Sequence, residues 1–428
     1  MIHIVFPEKY FLKKQEVFMK VIKTLALALA VLMIWSAIGC GKRDDEDDIS
    51  FLEGTYDVTM WVSEKQGVAD HFKAQIDAFM EANPGIVIRA KVEGVTEADV
   101  GSKIASDVAS APDMYCFAQD QLVRLVRAAA LAAPPAKIAE NVKSMNDAGS
   151  VSAASFGDQL YAYPMTSDNG YFMYYDKSVI TDPDDLDKII EDCTKAKKKL
   201  RFALEDSWYT SSFFFATGCS SDWTVDESGK FTSLEDNFNS DKGLIAMKGM
   251  RKLTQSSCYD PKADIFTDAA VVVTGIWNAG AAAEHFGKNL GATDLPSFTV
   301  DGKSYHLGSY TGYKLLGVKP QTDANKSAVL ALLAEYLTGE KCQAERFDAL
   351  EWGPSNKNVQ ASEAVQSNIS LVALAKQNAY GKPQGQIHGS WWDIAKVLGA
   401  DAKSAKSDND LKAALEAYDK AVRNILKK

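Results

Sequence analysis

Histidine is scarce in this sequence, at five residues in 428, and none stands in the H-E-x-x-H spacing that sets two imidazoles on one helix face around zinc. The six cysteines include no C-x-x-C pair, which excludes the common structural zinc patterns. There is no G-x-S-x-G elbow for a serine nucleophile. Asp301-Gly302-Lys303-Ser304 ends like a phosphate-binding loop, but position 297 is Ser where the first glycine is required, and the setting is a hairpin. Asp226-Glu227-Ser228-Gly229-Lys230-Phe231 reads as a turn without the acidic spacing of a calcium loop. No metal and no cofactor is expected. Basic excess is missing too: 47 Lys and Arg face 57 Asp and Glu, a formal net charge of −10, which excludes nucleic acid as a natural partner. The one basic cluster, Lys195 to Lys199, reads as the solvated end of a helix. Internal repeats and long low-complexity tracts are absent, which argues against an adhesin or a structural array.

What is present begins with an address. From Met19 the chain runs Lys20-Val21-Ile22-Lys23, then an apolar stretch from Thr24 to Ile38, then Gly39-Cys40. A basic start, a short apolar run and small residues before a cysteine form a lipoprotein signal. The run falls short of the ~20 residues that span a bilayer. Residues 1–39 are therefore expected to be a signal peptide whose true start is Met19. Cys40 is expected to be lipidated, with residues 40–53 an acidic tether outside the cytoplasm. Contact with the membrane would be through that lipid alone. Five cysteines then remain, so at least one stays free, and a Cys219–Cys258 bridge is one open possibility.

The folded part alternates strands and helices. Tyr56 to Val62 alternates as a strand; Val68, Phe72, Ile76, Phe79 and Met80 recur at helical spacing; Asn83-Pro84-Gly85 stops that helix before Ile86-Val87-Ile88. A helix carrying Val100, Ile104 and Val108 leads to a buried strand at Asp113 to Phe117. This order implies βαβ units and a mainly parallel sheet, with ligands at the carboxyl ends of the strands. Near residues 157–176 the pattern changes to aromatic strands around a loop, which suits a crossing between two lobes. Gly308 to Gly317 reads as a Gly-rich strand pair suited to a second crossing. Near the C-terminus stands Trp391-Trp392. Neighbours on a helix point about 100° apart, so one of the two must face something other than the core. A single Trp is more often packing, and Trp61, Trp223 and Trp352 are read so.

Several of these segments carry a resemblance when read together. Phe79-Met80-Glu81-Ala82-Asn83-Pro84-Gly85-Ile86, Ser110-Ala111-Pro112-Asp113-Met114, Gln159-Leu160-Tyr161-Ala162-Tyr163-Pro164 and Tyr174-Tyr175-Asp176-Lys177 stand in the order found in a known family, with Ala111 at a usual glycine. From Thr55 to the end the chain resembles the extracellular solute-binding proteins of ABC sugar importers, closest to the maltose/maltodextrin-binding type. The resemblance implies an α/β, two-lobed periplasmic-binding-protein-like fold of type II, with a hinge and three chain crossings. Lobe one would be 54–166 plus 311–354, and lobe two 167–310 plus 355–428. It implies capture of an oligosaccharide, with an α-1,4-glucan favoured, delivery to importer permease subunits, and a monomer without catalysis. The alternatives are another oligosaccharide or a secreted glycoside-active enzyme.

Carried over by position, the ligand contacts would be Trp277, Trp392 and Trp208 as stacking faces, with Phe117 where Trp is typical. Polar contacts would be Asp120, Gln121 in place of an Arg, Asp168, Glu64, Lys65 and Asp206. Glu64, Lys65 and Asp168 each require a one-residue gap, and Asp206 stands where a Glu is expected after a gap of unset length. The chemistry suits a sugar, whose hydroxyls need donors and acceptors together and whose ring faces stack on aromatics.

Overall fold

The computed structural model describes residues 49–427 except 227. The expected signal peptide, residues 1–39, and the expected lipidation site Cys40 lie outside the described residues. Packing begins inside the stretch read as a tether: Leu52 is buried, and its carbonyl accepts a hydrogen bond from the Tyr56 hydroxyl at 2.8 Å.

Tyr56, Val58, Met60 and Val62 turn inward along strand β1 (Gly54–Ser63), the alternation that marks a strand with one face on a core. Helix α1 (Val68–Ala82) buries Val68, Phe72, Ile76 and Phe79 and ends at Asn83, whose side chain donates to the Phe79 carbonyl. Strand β2 (Ile86–Val95), helix α2 (Glu97–Ser106) and strand β3 (Met114–Ala118) follow. Strand β4 (Tyr163–Thr166) closes the first run, and β5 (Phe172–Asp176) opens the second. The second continues through β6 (Lys199–Arg201), helix α3 (Ser207–Ala216), β7 (Tyr259–Asp260), β8 (Ala269–Thr274) and β9 (Leu290–Thr293). Strand β10 (Lys314–Val318) then returns to the first sheet.

The two sheets have the orders β2-β1-β3-β10-β4 and β7-β6-β8-β5-β9. Each is mixed, where a mainly parallel sheet was expected. In the first, β10 runs antiparallel to β3 and β4; in the second, β5 runs antiparallel to β8 and β9. Both reversed strands are the first that each sheet receives from a crossing, so they enter from the opposite end. The Gly-rich pair also resolves differently from the expectation. Ser309–Thr311 pairs with Gly381–Pro383 and never with β10, so the two halves of that stretch belong to different sheets.

One core gathers Leu52 to Met165, the β10 residues and the helix at Ala324–Leu337. A second gathers Tyr171 to Tyr310 with Trp391, Leu411, Leu415 and Tyr418. Residues 355–367 stay with the first: Ser355 donates to Asn146 at 2.8 Å, and Val359 and Val365 pack on Phe347. Ala373 and Leu374 instead join Phe172 and Tyr174. We therefore propose that the third crossing lies near Asn368.

All five described cysteines are buried free thiols. The Cys219–Cys258 bridge is not formed: Cys219 lies beside Thr217 and Ser240, while Cys258 lies beside Ser256 and Ile190.

Candidate functional site

The tryptophan doublet lies on a short helix, Gly389–Ala395, opened by His388. Trp391 turns fully inward and donates from Nε1 to the Tyr418 hydroxyl at 2.9 Å. Trp392 stays partly exposed, edge-on to Tyr310 at 5.7 Å. The offset between helical neighbours thus separates a core residue from a cleft residue.

Trp208 and Trp277 meet on the same side of the second lobe, with ring centroids 5.8 Å apart and planes inclined by 37°. Asp206 caps helix α3 by accepting from the Trp208 backbone N–H at 2.9 Å, which fixes the first turn and the indole on it. The Trp208 carbonyl accepts from the Tyr171 hydroxyl at 2.9 Å. Trp277 follows β8, and its ring folds back over Gly275, where a Cβ would overlap it; glycine is required there by contact. Asp206 therefore acts by positioning Trp208.

Facing this aromatic floor is Lys314, the first residue of β10, which sequence reading missed. It is only 8 % exposed although it carries an ammonium. Its Nζ lies 2.9 Å from Glu97, 5.7 Å from the centre of the Trp277 ring and 5.5 Å from that of Trp352. Burial alone would lower the Lys314 pKa, but Glu97 and Asp168 outweigh it and raise it, so the ammonium stays charged. Trp352, read as packing, is buried in the first core and also walls this ammonium.

Three chain segments, around residues 167–169, 312 and 353, meet beside Lys314. Asp168, in the first, accepts from the Gly353 backbone N–H at 2.6 Å; Ser167 N–H donates to the Gly353 carbonyl at 2.9 Å, and Asn169 N–H to that of Gly312 at 3.2 Å. Burial pushes the Asp168 pKa up, with Lys314, Thr166 and Gly353 opposing. A Cβ on Gly353 would strike Asp168, so this segment of the first lobe passes the first crossing closely because residue 353 is glycine.

Asp120 sits on the turn after β3. Burial pushes its pKa up to about 7, opposed by its own backbone, by Arg124 and by the Trp392 and Gln384 side chains that approach it as donors. Lys65 reaches Asp264 of the second lobe at 3.3 Å, a half-exposed pair worth about 0–1 kcal/mol. Glu64 is exposed and accepts from Thr96.

Two expected contacts do not reach the cleft. Phe117 is fully buried and shares a strand face with Tyr115, 5.9 Å away, against Gly317 in the first core. Gln121 spends both ends of its amide inside the first lobe, accepting from Gly101 N–H and donating to the Glu97 carbonyl at 2.9 Å. Its role is to hold the start of α2, and with it Glu97.

Among the described residues, the buried polar atoms without a hydrogen-bond partner include Glu97 Oε1, Asp120 Oδ1 and Trp208 Nε1, with Gln119 Oε1 beside Asp120 and Thr166 Oγ1 beside Lys314. Buried orphans of this kind cost free energy unless a ligand or water completes them. Aromatic faces, an indole N–H donor, unpartnered carboxylate oxygens and an ammonium are the kinds of group a polyhydroxylated ring requires. Two other cavities, of about 760 and 530 Å³, open on the first lobe; their linings contain no Trp or Tyr and resemble solvated surface.

Residues 74–373 match the family of bacterial extracellular solute-binding proteins. The chain belongs to this family. A curated relative, the maltotriose-binding protein of Pyrococcus abyssi (strain GE5 / Orsay), is 20% identical over 383 residues, covering 86% of this chain and 82% of its own. A solved structure described as a complex with acarbose is 26% identical, with a TM-score of 0.76, and covers 87% of this chain and 100% of its own. The maltodextrin-binding protein MalE1 from L. casei BL23, solved without ligand, is 20% identical with a TM-score of 0.71, covering 86% and 99%. The fold of this solute-binding protein is thus the two-lobed, hinged α/β type. No helix among the described residues is long and apolar enough to cross a membrane.

Proposed function

We propose that this solute-binding protein captures maltodextrin-type oligosaccharides between its lobes and presents them, as a monomer, to the permease of an ABC importer. The observation that supports this reading best is the Trp208–Trp277 pair beside the buried Lys314–Glu97 pair, in which Glu97 Oε1 has no partner. The names of the relatives, binders of maltotriose, acarbose and maltodextrin, support the same ligand class. Lipidation at Cys40 would hold the protein at the outer face of the membrane. With the lobes closed, Trp277 would offer a stacking face, and Trp392 and Asp120, which already approach each other, would border the ligand together.

Titration calorimetry with maltose, maltotriose, longer dextrins and unrelated oligosaccharides tests the ligand. Two or three stacks with the hydrogen-bond set support roughly micromolar affinity for the glucans. Trp277→Ala is expected to weaken binding by more than about 1 kcal/mol, and Trp392→Ala likewise. Tighter binding of a non-glucan would overturn the substrate and keep the class; conversion of the sugar to product would favour the glycoside-active alternative.

A further inference from the structure

We propose that Cys193 and Cys258 form an oxidation site, closed to a disulfide outside the cytoplasm by exchange with an external disulfide. Cys219 is one partner the sequence allows for Cys258; the fold supplies another. Cys193 lies on the helix Leu186–Ala196, one turn after Ile190. Cys258 immediately precedes β7, and its Sγ lies 3.7 Å from the Ile190 carbonyl. The Cys193 thiol and the Thr194 hydroxyl also reach that sulfur. The Cys258 side chain thus rests on the stretch of helix surface that carries Cys193. The backbone holds both residues at β6: the Cys193 carbonyl accepts from Lys198 N–H and the Cys258 carbonyl from Leu200 N–H, each at 2.9 Å. Both side chains are buried in the second core. The other described thiols lie elsewhere, Cys116 against Met165, Cys219 beside Thr217 and Ser240, and Cys342 near Arg346.

Of the two thiols, Cys258 is the nucleophile. The Cys193 S–H donates to its sulfur and lowers its pKa, against the burial that raises it, and Ser256 and Thr194 add further donors. The same hydrogen bond, together with burial, raises the pKa of Cys193. The Cys258 thiolate attacks the external disulfide and expels one thiolate, leaving a mixed disulfide. Cys193 then gives its proton to that thiolate, attacks the Cys258 sulfur and expels the second, which takes the proton Cys258 had shed. Two protein thiols become one disulfide, and the external disulfide becomes two thiols. Members of an extracellular family meet such oxidants as they fold, before burial shuts the pair away. The bridge would tie residues 193–258 into a covalent loop. That loop contains α3, and with it Asp206 and Trp208, so one wall of the cleft would be anchored at both ends.

Peptide mapping tests the site. The natural protein, isolated after export, is denatured in acid, alkylated and mapped by mass spectrometry without reduction. The Cys193 and Cys258 peptides are expected to be joined, with Cys116, Cys219 and Cys342 alkylated. Reduction should release the pair, and refolding with oxidised glutathione should restore it. The thermal midpoint of the oxidised protein should exceed that of the reduced protein by about 5 °C or more. Cys219→Ser should keep that difference, and Cys193→Ser or Cys258→Ser should erase it. Alkylation of all five cysteines in the exported protein would overturn the proposal, as would a bridge joining Cys258 to Cys219. Should a serine variant fail to fold, the map of the natural protein decides alone. Sugar binding enters neither readout, so the ligand reading stands or falls separately.

Discussion

Trp391→Ala is expected to destabilise the protein by about 3–5 kcal/mol, the range for truncating a large buried aromatic. Trp391 has no solvent exposure and packs against Phe238 with ring centroids 6.2 Å apart. Its Nε1–H is satisfied by the Tyr418 hydroxyl, which in turn donates to Asp236 at 2.6 Å. Truncation opens a cavity in the second core and removes one link of that buried chain. Trp391→Phe keeps most of the volume and loses the hydrogen bond, so about 1 kcal/mol is expected. Guanidinium unfolding measures both. The adjacent Trp392→Ala should leave the midpoint close to that of the natural protein while weakening ligand binding. A Trp391→Ala midpoint equal to that of Trp392→Ala would contradict the division of the doublet.

The second large effect is a dependence on pH carried by Asp120. Its folded pKa is pushed up to about 7, mainly by burial, from an ordinary 3.8. A carboxyl raised on folding binds more protons in the folded state, so stability is greatest below the unfolded value and falls as pH rises through the folded one. Between pH 4 and 7 the loss is up to about 1.4 kcal/mol per unit, a ceiling of about 4 kcal/mol. That ceiling applies to closed lobes. Separating Asp120 from Trp392 and Gln384 returns the carboxyl to water, so a rise in pH is expected to favour opening before unfolding. Small-angle scattering of the ligand-free protein should show a larger radius of gyration at pH 8 than at pH 5.5. Asp120→Asn should abolish that difference; an Asn variant with the same pH response would assign it to another group.

The sequence disclosed the elements and the aromatic half of the site more readily than the charged half. Trp208, Trp277 and Trp392 were legible through the family resemblance, since large, rare side chains hold their place in such patterns, and each lies on a helix or 3-10 turn. Glu97 and Lys314 lie far apart in the chain, and each alone looks like an ordinary surface charge. Only the pairing of β10 with β3 brings them within 2.9 Å. Phe117 failed as a contact because Met114–Ala118 is a continuous apolar run whose two faces cannot be told apart by periodicity. Gln121 failed because the backbone of Gly101 competes for its amide, a partner that no local pattern reveals. Sheet direction was misjudged for a related reason: the hydrophobicity of β10 is blind to the end from which the strand enters.

The late arrival of β10 has a consequence for how the polypeptide matures. The first sheet has no partner on one side of β3 until residue 318 has been synthesised, and the second core lacks Trp391 and Tyr418 until the final helix (Asp408–Val422) is made. Neither half can reach its native packing from a contiguous stretch of nascent chain. Contacts of such long sequence separation slow folding, because loop-closure entropy must be overcome before burial rewards it. The chain should therefore stay unfolded until its synthesis is nearly complete. That delay would keep an exported precursor threadable until its last residues leave the ribosome.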